Sequence, residues 1–324
     1  MSYHSQVLAL SGGVGGAKLA LGLAKVLAPE QLTIAANTAD DFCHLGFPVS
    51  PDLDTVMYTL AGLNNAELGW GLANESWQFM DALQALGGET WFRLGDRDIA
   101  THTFRRQQRE AGFSLSEITA QLCTALNIQQ RLIPMTDDPV ATQVLDGEQW
   151  LDFQDYFVRQ QCEPNVSQAR FNGIENAVIA PDLAGLLDVA AADNSLKAII
   201  ICPSNPFVSV APILSLPGMV DKLIQARAPV IAVAPIVGGQ AIKGPTAKMM
   251  QALDMPVSAV GVAEHYTKRY PGLIDGFIID HVDAAARADV EALGMRVLLA
   301  DSVMTSEQHK RNLAKDCIAF ARQF

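Results

Sequence analysis

Short apolar runs recur along the chain at Val7–Leu10, Leu32–Ala36, Ala198–Cys202, Val230–Ala234, Val257–Val262, Gly276–Ile279 and Arg296–Leu299. They are rich in Val, Ile and Leu and do not alternate cleanly with polar residues. That is the pattern of strands in a parallel sheet covered on both faces. Helical spacing is found at Ala17–Leu27, Leu216–Gln225, Lys248–Leu253 and Ala284–Leu293. Strand and helix in alternation predict a doubly wound, mainly parallel α/β sheet. The middle of the chain breaks the rhythm. Residues 58–127 read as mostly helical, with Trp70, Trp77, Phe79, Met80, Leu83 and Leu86 as apolar positions. Residues 131–161 hold short strand-like pieces and a turn at Asp146-Gly147. The predicted organisation is a core of 1–57 and 175–324. Residues 58–174 then form a largely helical insertion, or small second domain, over the C-terminal edge of the sheet, where such folds bind ligands.

Composition narrows the function classes. The 324 residues are 49% hydrophobic and 18% charged, enough to bury a sizeable core and too apolar for a disordered chain. Asp and Glu outnumber Lys and Arg 35 to 23, for a net charge of -12. With no basic run longer than Arg105-Arg106, a general nucleic-acid binder is disfavoured. A small anionic ligand is not, because backbone geometry alone can hold a phosphate. No apolar run approaches a membrane span. Met1–Gln6 lacks the basic region of a signal peptide. The cysteines (Cys43, Cys123, Cys162, Cys202, Cys317) are scattered with no CxxC, so no disulfide frame or zinc knuckle is indicated. These features predict a cytoplasmic protein with reduced thiols.

Candidate chemistry sits at the ends of the predicted strands. Gly12-Gly13-Val14-Gly15-Gly16-Ala17-Lys18 follows the first strand and opens a helix, a context suited to a phosphate or diphosphate. Its spacing matches neither GxGxxG, which would need Gly where Lys18 stands, nor a Walker A loop. Asn37-Thr38-Ala39-Asp40-Asp41 follows the second strand, where an acid can read a ribose or another alcohol; an Asx turn is the plainer reading. Ser50-Pro51-Asp52-Leu53-Asp54-Thr55 opens a helix. Asp52 reads as an N-cap, or the pair Asp52 and Asp54 as carboxylates for Mg²⁺. Arg93, Asp96, Arg97, Asp98 and His102 crowd around Gly95, either as phosphate-binding guanidinium groups with their orienting acids or as a solvated ion-pair network. Ser204 and Asn205, in Cys202-Pro203-Ser204-Asn205-Pro206, and the glycines of Pro235–Gly239, with Lys243 just beyond, lie at further strand ends. Loops after several parallel strands converge on one crevice. The residues by themselves describe an α/β enzyme for a phosphate-bearing, nucleotide-like ligand.

Seven segments together resemble the motif series of the 2-phospho-L-lactate transferase family (CofD). They are Gly12–Lys18, Asn37–Asp41, Ser50–Thr55, Leu94–Asp98, Met135–Val140, Pro203–Pro206 and Gly261–Glu264, in order over nearly the whole chain. Val14 and Ala17 stand where many members have Thr and Pro. The resemblance implies a Rossmann-like fold and a step of coenzyme F-420 biosynthesis that needs Mg²⁺. A guanosine-diphosphate-activated hydroxy acid is the donor in that family. The ribityl alcohol of 7,8-didemethyl-8-hydroxy-5-deazariboflavin (FO) is the acceptor, and GMP leaves. Asp54 and Arg93 stand at the family's FO-binding positions.

Several roles are expected on that basis. Gly12, Gly13, Gly15, Gly16 and Lys18 hold the diphosphate, with Mg²⁺ on Asp52 and Asp54 and help from Arg93 or Arg97. Asp54 or Asp52 acts on the acceptor hydroxyl. Ser204 and Asn205 lie near guanine or phosphate, and Asn37, Asp40, Asp41, Asp96, Arg97 and Asp98 support the site. The partners expected are the two small-molecule substrates, with no nucleic acid and no membrane, and a homodimer is left open. The other reading is a non-catalytic regulatory factor of a related Rossmann-like group that binds nucleotide sugars.

Overall fold

The computed structural model describes residues 6–242 and 244–324; the readings for Met1–Ser5 and Lys243 lie outside the described residues. Seven strands form one sheet: β1 (Val7–Ser11), β2 (Leu32–Ala36), β3 (Arg131–Pro134), β4 (Ala198–Ile201), β5 (Val230–Val233), β6 (Gly276–Asp280) and β7 (Arg296–Ala300). Their spatial order is β3-β2-β1-β4-β5-β6-β7. Every neighbouring pair is parallel. This is the Rossmann order with one more strand at the far edge. The chain runs outward through β1, β2 and β3, then returns to the other side of β1 to start β4. A crevice therefore opens between the C-terminal ends of β1 and β4.

The missing alternation in the strands has a direct cause. Leu8 and Leu10 of β1 pack into one core with Ile199 and Ile201 of β4. Val7 and Ala9 pack into a second core on the other face with Ala198 and Ile200. Both faces are covered, so apolar residues stand on both faces. Helices α1 (Gly13–Ala24), α2 (Pro51–Leu60), α3 (Asp96–Glu110), α4 (Leu115–Ala125) and α5 (Glu307–Ala321) supply parts of the cover. α1 lies against α5 so closely that a Cβ at Gly22 would stand under 3.0 Å from the Lys310 carbonyl oxygen.

Two expectations need correction. Val257–Val262 is not a strand: Ser258 accepts from the Gly261 N–H at 3.0 Å and caps a helix over Ala259–Arg269. The cap outweighs the apolar run, because a satisfied first turn starts a helix whatever follows it. And β3 comes from within 58–174, the stretch expected to be an insertion, and pairs with β2 as the sheet's edge. The rest of that stretch holds α3, α4, a helix over Gln78–Ala85 and a three-stranded antiparallel sheet of Ala141–Asp146, Gln149–Asp152 and Val166–Asn172. The turn at Asp146-Gly147 forms as predicted, with Gly147 at φ +57°. Gly238 and Gly239, at φ +56° and +75°, make the tight turn of a small hairpin. Among the described residues no single helix is long and apolar enough to cross a membrane.

Candidate active site

The turn after β1 is held by its neighbours. Gly13 has φ +60°, where a side chain is strained. The other glycines serve close approach. A Cβ on Gly12 would strike the Asp52 carboxylate and Ser209; on Gly15 it would strike the Pro203 carbonyl oxygen; on Gly16 it would strike the Ser11 and Ser204 hydroxyls. The turn is thus packed against the loop after β4 and the start of α2. Its first two donors are used inside the protein. Gly12 N–H donates to Ser204 Oγ at 3.1 Å and Gly13 N–H to Asp52 Oδ1 at 2.6 Å. These two amides, expected at a phosphate, are bound to an internal hydroxyl and an internal carboxylate.

Asp52 is the hub of this contact rather than an N-cap. Ser50 holds the N-cap position of α2 and Pro51 opens the first turn. Asp52 Oδ2 accepts from Asn37 Nδ2 at 3.0 Å, and the same amide donates to Asp40 Oδ1 at 2.9 Å and to the Val208 carbonyl at 3.2 Å. Ser50 Oγ donates to Asp41 Oδ2 at 2.6 Å. Three carboxyls therefore crowd the ends of β1 and β2. Burial, with the charges of Asp52 and Asp41 added, holds the Asp40 carboxyl well above the usual carboxylate range. Burial also raises Asp52, against hydrogen bonds from Asn37, Gly13 and Ser209. It pushes Asp41 up to about 8, opposed by the Ser50 hydrogen bond and the Arg105 charge.

Asp54 lies one step further along α2 and faces another way. Arg105 Nη2, from α3, donates to Asp54 Oδ1. Asp54 Oδ2 is buried with no hydrogen-bond partner and lies 3.9 Å from His102 Nδ1. Asp98 is bound by the Tyr58 hydroxyl at 2.6 Å and by His102 Nε2 at 3.2 Å. Burial would raise the Asp98 carboxyl, but these partners and Arg105 bring it below its ordinary value.

The remaining candidates divide. Asp96 is a local cap: its carboxylate accepts from Ser76 Oγ, Gln78 N and Phe79 N at the start of the Gln78–Ala85 helix. Glu75 returns the favour, accepting from Arg97 N and Asp98 N at 2.9 Å each and capping α3. The crowd around Gly95 is thus largely reciprocal capping. Arg97 also donates to the Ala73 carbonyl at 2.9 Å, and Arg93 is exposed with its guanidinium 4.3 Å over the Trp77 ring. Lys18 is half-buried on α1. Asn205 caps the turn after β4, its Oδ1 accepting from Phe207 N at 2.9 Å. Sequence reasoning missed Arg105, Tyr58, Ser209 and Glu75. Only Arg105 carried a signal: Asp98, His102 and Arg105 are spaced to share one helix face.

Comparison with known proteins decides the family. Residues 7–317 match the family described as 2-phospho-L-lactate transferase CofD. The chain belongs to the CofD family. Its relatives include a phosphoenolpyruvate transferase of Kitasatospora aureofaciens, 39% identical with 98% of each chain covered. A 2-phospho-L-lactate transferase of Methanosarcina acetivorans is 38% identical, with 95% of this chain and 97% of that one covered. Among solved structures, a UPF0052-family protein of Bacillus halodurans superposes with a TM-score of 0.65 over 97% of this chain and 98% of that one, at 12% identity. That likeness extends to the fold alone.

In this CofD member the oxygens left over for a ligand can be named. Asp52 is committed on both oxygens and Asp54 on one; Asp54 Oδ2 and Asp41 Oδ1 are buried without hydrogen-bond partners. Hard oxygen donors of this kind suit Mg²⁺. No group of three or more His, Cys, Asp or Glu able to hold a metal forms among the described residues. An ion here would complete its shell with phosphate oxygens and water. A cavity of about 700 Å³ opens beside Asp40 and Asp41, with Phe42, Trp91, Trp150 and Phe153 on its walls.

Proposed function

We propose that this protein transfers a phospho-hydroxy acid from a guanosine-diphosphate-activated donor to the ribityl alcohol of FO, releasing GMP. The observation that carries this reading is Asp54. It is a buried carboxylate two residues beyond Asp52 on α2, clamped on one oxygen and without a hydrogen bond on the other, at the position the CofD resemblance assigns to the acceptor. The alcohol oxygen attacks the phosphorus bearing the hydroxy acid. The bond from that phosphorus to the bridging oxygen breaks, GMP leaves with its electron pair, and the hydroxyl proton passes to Asp54 Oδ2. Such transfers depend chiefly on positioning and charge neutralisation.

The diphosphate is assigned to the amides of the first turn of α1 beyond Gly13, where the positive end of the helix dipole favours an anion. Mg²⁺, when held through Asp41 Oδ1, would offset charge on the transferring phosphate and leave Asp54 Oδ2 to the acceptor hydroxyl. Asp52 keeps the glycine turn in shape. The aromatic walls of the cavity suit the flat deazaflavin ring, since ring faces stack well on aromatic side chains.

The relatives are named for two acids, phosphoenolpyruvate and 2-phospho-L-lactate, and the test runs their guanosine-activated forms together with that of 3-phosphoglycerate, each with FO and Mg²⁺. Mass spectrometry should find an FO phosphodiester and an equal amount of GMP with at least one of them. No product from any donor would refute the reading.

A further inference from the structure

Asp98, His102 and Arg105 follow one another on α3 at spacings of four and three, so they share a face. That face meets the first two turns of α2. Arg105 has no exposed surface and His102 has 1%. Arg105 Nη2 donates to Asp54 Oδ1, while Nη1 donates to the Pro48 carbonyl at 3.2 Å and lies 3.1 Å from His102 Nδ1. His102 Nε2 reaches Asp98 Oδ2 at 3.2 Å, and Tyr58, one turn after Asp54 on α2, donates to Asp98 Oδ1 at 2.6 Å. The contacts close a ring from α2 through α3 and back to α2.

Stability alone is a poor reason for this arrangement. Apolar side chains of similar volume join two helices as well as, or better than, a buried ion pair, because the charges must shed their water. What the guanidinium adds is direction. Its planar fork is itself tied down, Nη1 to the Pro48 carbonyl and Nη2 to Asp54 Oδ1, so it meets that oxygen from one fixed direction, which a point charge or an apolar neighbour does not. Here the fixed oxygen is Oδ1, and Oδ2 is the one that makes no hydrogen bond, with His102 Nδ1 3.9 Å away.

We propose that Arg105 is a positioning residue for the transfer, holding Asp54 Oδ1 so that Oδ2 is presented to the acceptor alcohol, and that His102, Asp98 and Tyr58 hold the guanidinium in turn. This rests on the reading that Asp54 meets the acceptor. Arg105 itself touches no substrate. Its effect on turnover passes through Asp54 alone.

The test is a double-mutant cycle on the full-length enzyme: wild type, Asp54→Asn, Arg105→Lys and the pair. Each is assayed for kcat and for the KM of the guanosine donor, with melting temperatures alongside. Arg105→Lys keeps the charge and loses the fork. It should lower kcat about 10- to 100-fold, the effect of misplacing a reacting group by about an ångström, and leave the donor KM within about twofold. In the Asp54→Asn background the same change should cost less than about twofold, since residues acting as one unit are not additive. Equal losses in the two backgrounds, or full kcat in Arg105→Lys, would overturn the proposal. Should Arg105→Lys not fold, Asp54→Asn/Arg105→Met leaves no buried charge of the pair. A kcat equal to that of Asp54→Asn then supports the proposal and a lower one overturns it. Failure of the Asp54 reading shows separately, as full turnover in Asp54→Asn alone.

Discussion

Replacing Gly15 with Ala tests whether the glycine turn is shaped by packing. The new Cβ would stand about an ångström inside ordinary contact with the Pro203 carbonyl oxygen. That oxygen belongs to the backbone at the end of β4 and has no rotamer to escape into. Either the turn or the loop must move by about that ångström. Overpacking of this kind costs about 1–3 kcal/mol. The helix propensity of Ala over Gly returns about 1 kcal/mol, so the net loss is about 0–2 kcal/mol. In a chain of this size that lowers the melting temperature by at most a few degrees. The effect on turnover should be larger, about 100-fold, because the displaced turn carries the proposed phosphate site.

Two companions separate the causes. Gly22→Ala makes a similar clash with the Lys310 carbonyl, far from the crevice, and should lose stability with kcat little changed. Gly16→Ala meets the Ser11 and Ser204 hydroxyls; turning Ser204 aside releases the Gly12 N–H, so its stability loss should match that of Ser204→Ala. Thermal melting and steady-state turnover read all three. Gly15→Ala with wild-type melting and turnover would refute the reasoning, as would Gly22→Ala losing as much kcat.

Other outcomes are as specific. Ser204→Ala leaves the buried Gly12 N–H without its acceptor and should cost about 1–3 kcal/mol, read by denaturant unfolding; an unchanged midpoint would contradict the contact. Glu75→Ala removes the cap from α3 and should cost about 1 kcal/mol, seen as a lower melting temperature. Asp41 titrates near 8 folded against 3.8 ordinarily. Its stabilising share is therefore complete below about pH 4 and is lost as pH rises to about 8, by at most about 1.4 kcal/mol per pH unit. Asp41→Asn should flatten that slope; parallel stability curves for variant and wild type would refute it. Because ionised carboxylates bind Mg²⁺, the ion should raise the melting temperature more at pH 8 than at pH 5, and a melt indifferent to Mg²⁺ at both would argue against a site at Asp41.

Local chemistry was legible in the chain. Six of the seven apolar runs are strands of the sheet, because a strand covered on both faces is apolar at most of its positions. The strand–glycine–helix order at Ser11–Ala17 and the Pro51 helix start also follow from neighbouring residues. Val257–Val262 was misread because its apolar run hides a Ser258 cap; Arg131–Pro134 was legible as strand-like, but not its place in the main sheet, because a short edge strand joins through a single distant partner. The crowd around Gly95 was legible as density but not as capping, since Glu75 and Asp96 exchange caps across two helices.

Only the tertiary structure could decide which groups are spent on holding the protein together and which are left for a ligand. Gly12 meets Ser204 across 192 positions, Gly13 meets Asp52 across 39, and Arg105 meets Asp54 across 51. No periodicity or spacing encodes such meetings. They exist because the sheet order brings the ends of β1, β2 and β4 together and α3 folds back over α2. Two carboxylates two residues apart on α2 thereby enter different surroundings, one bound to the glycine turn and the other held by a buried guanidinium.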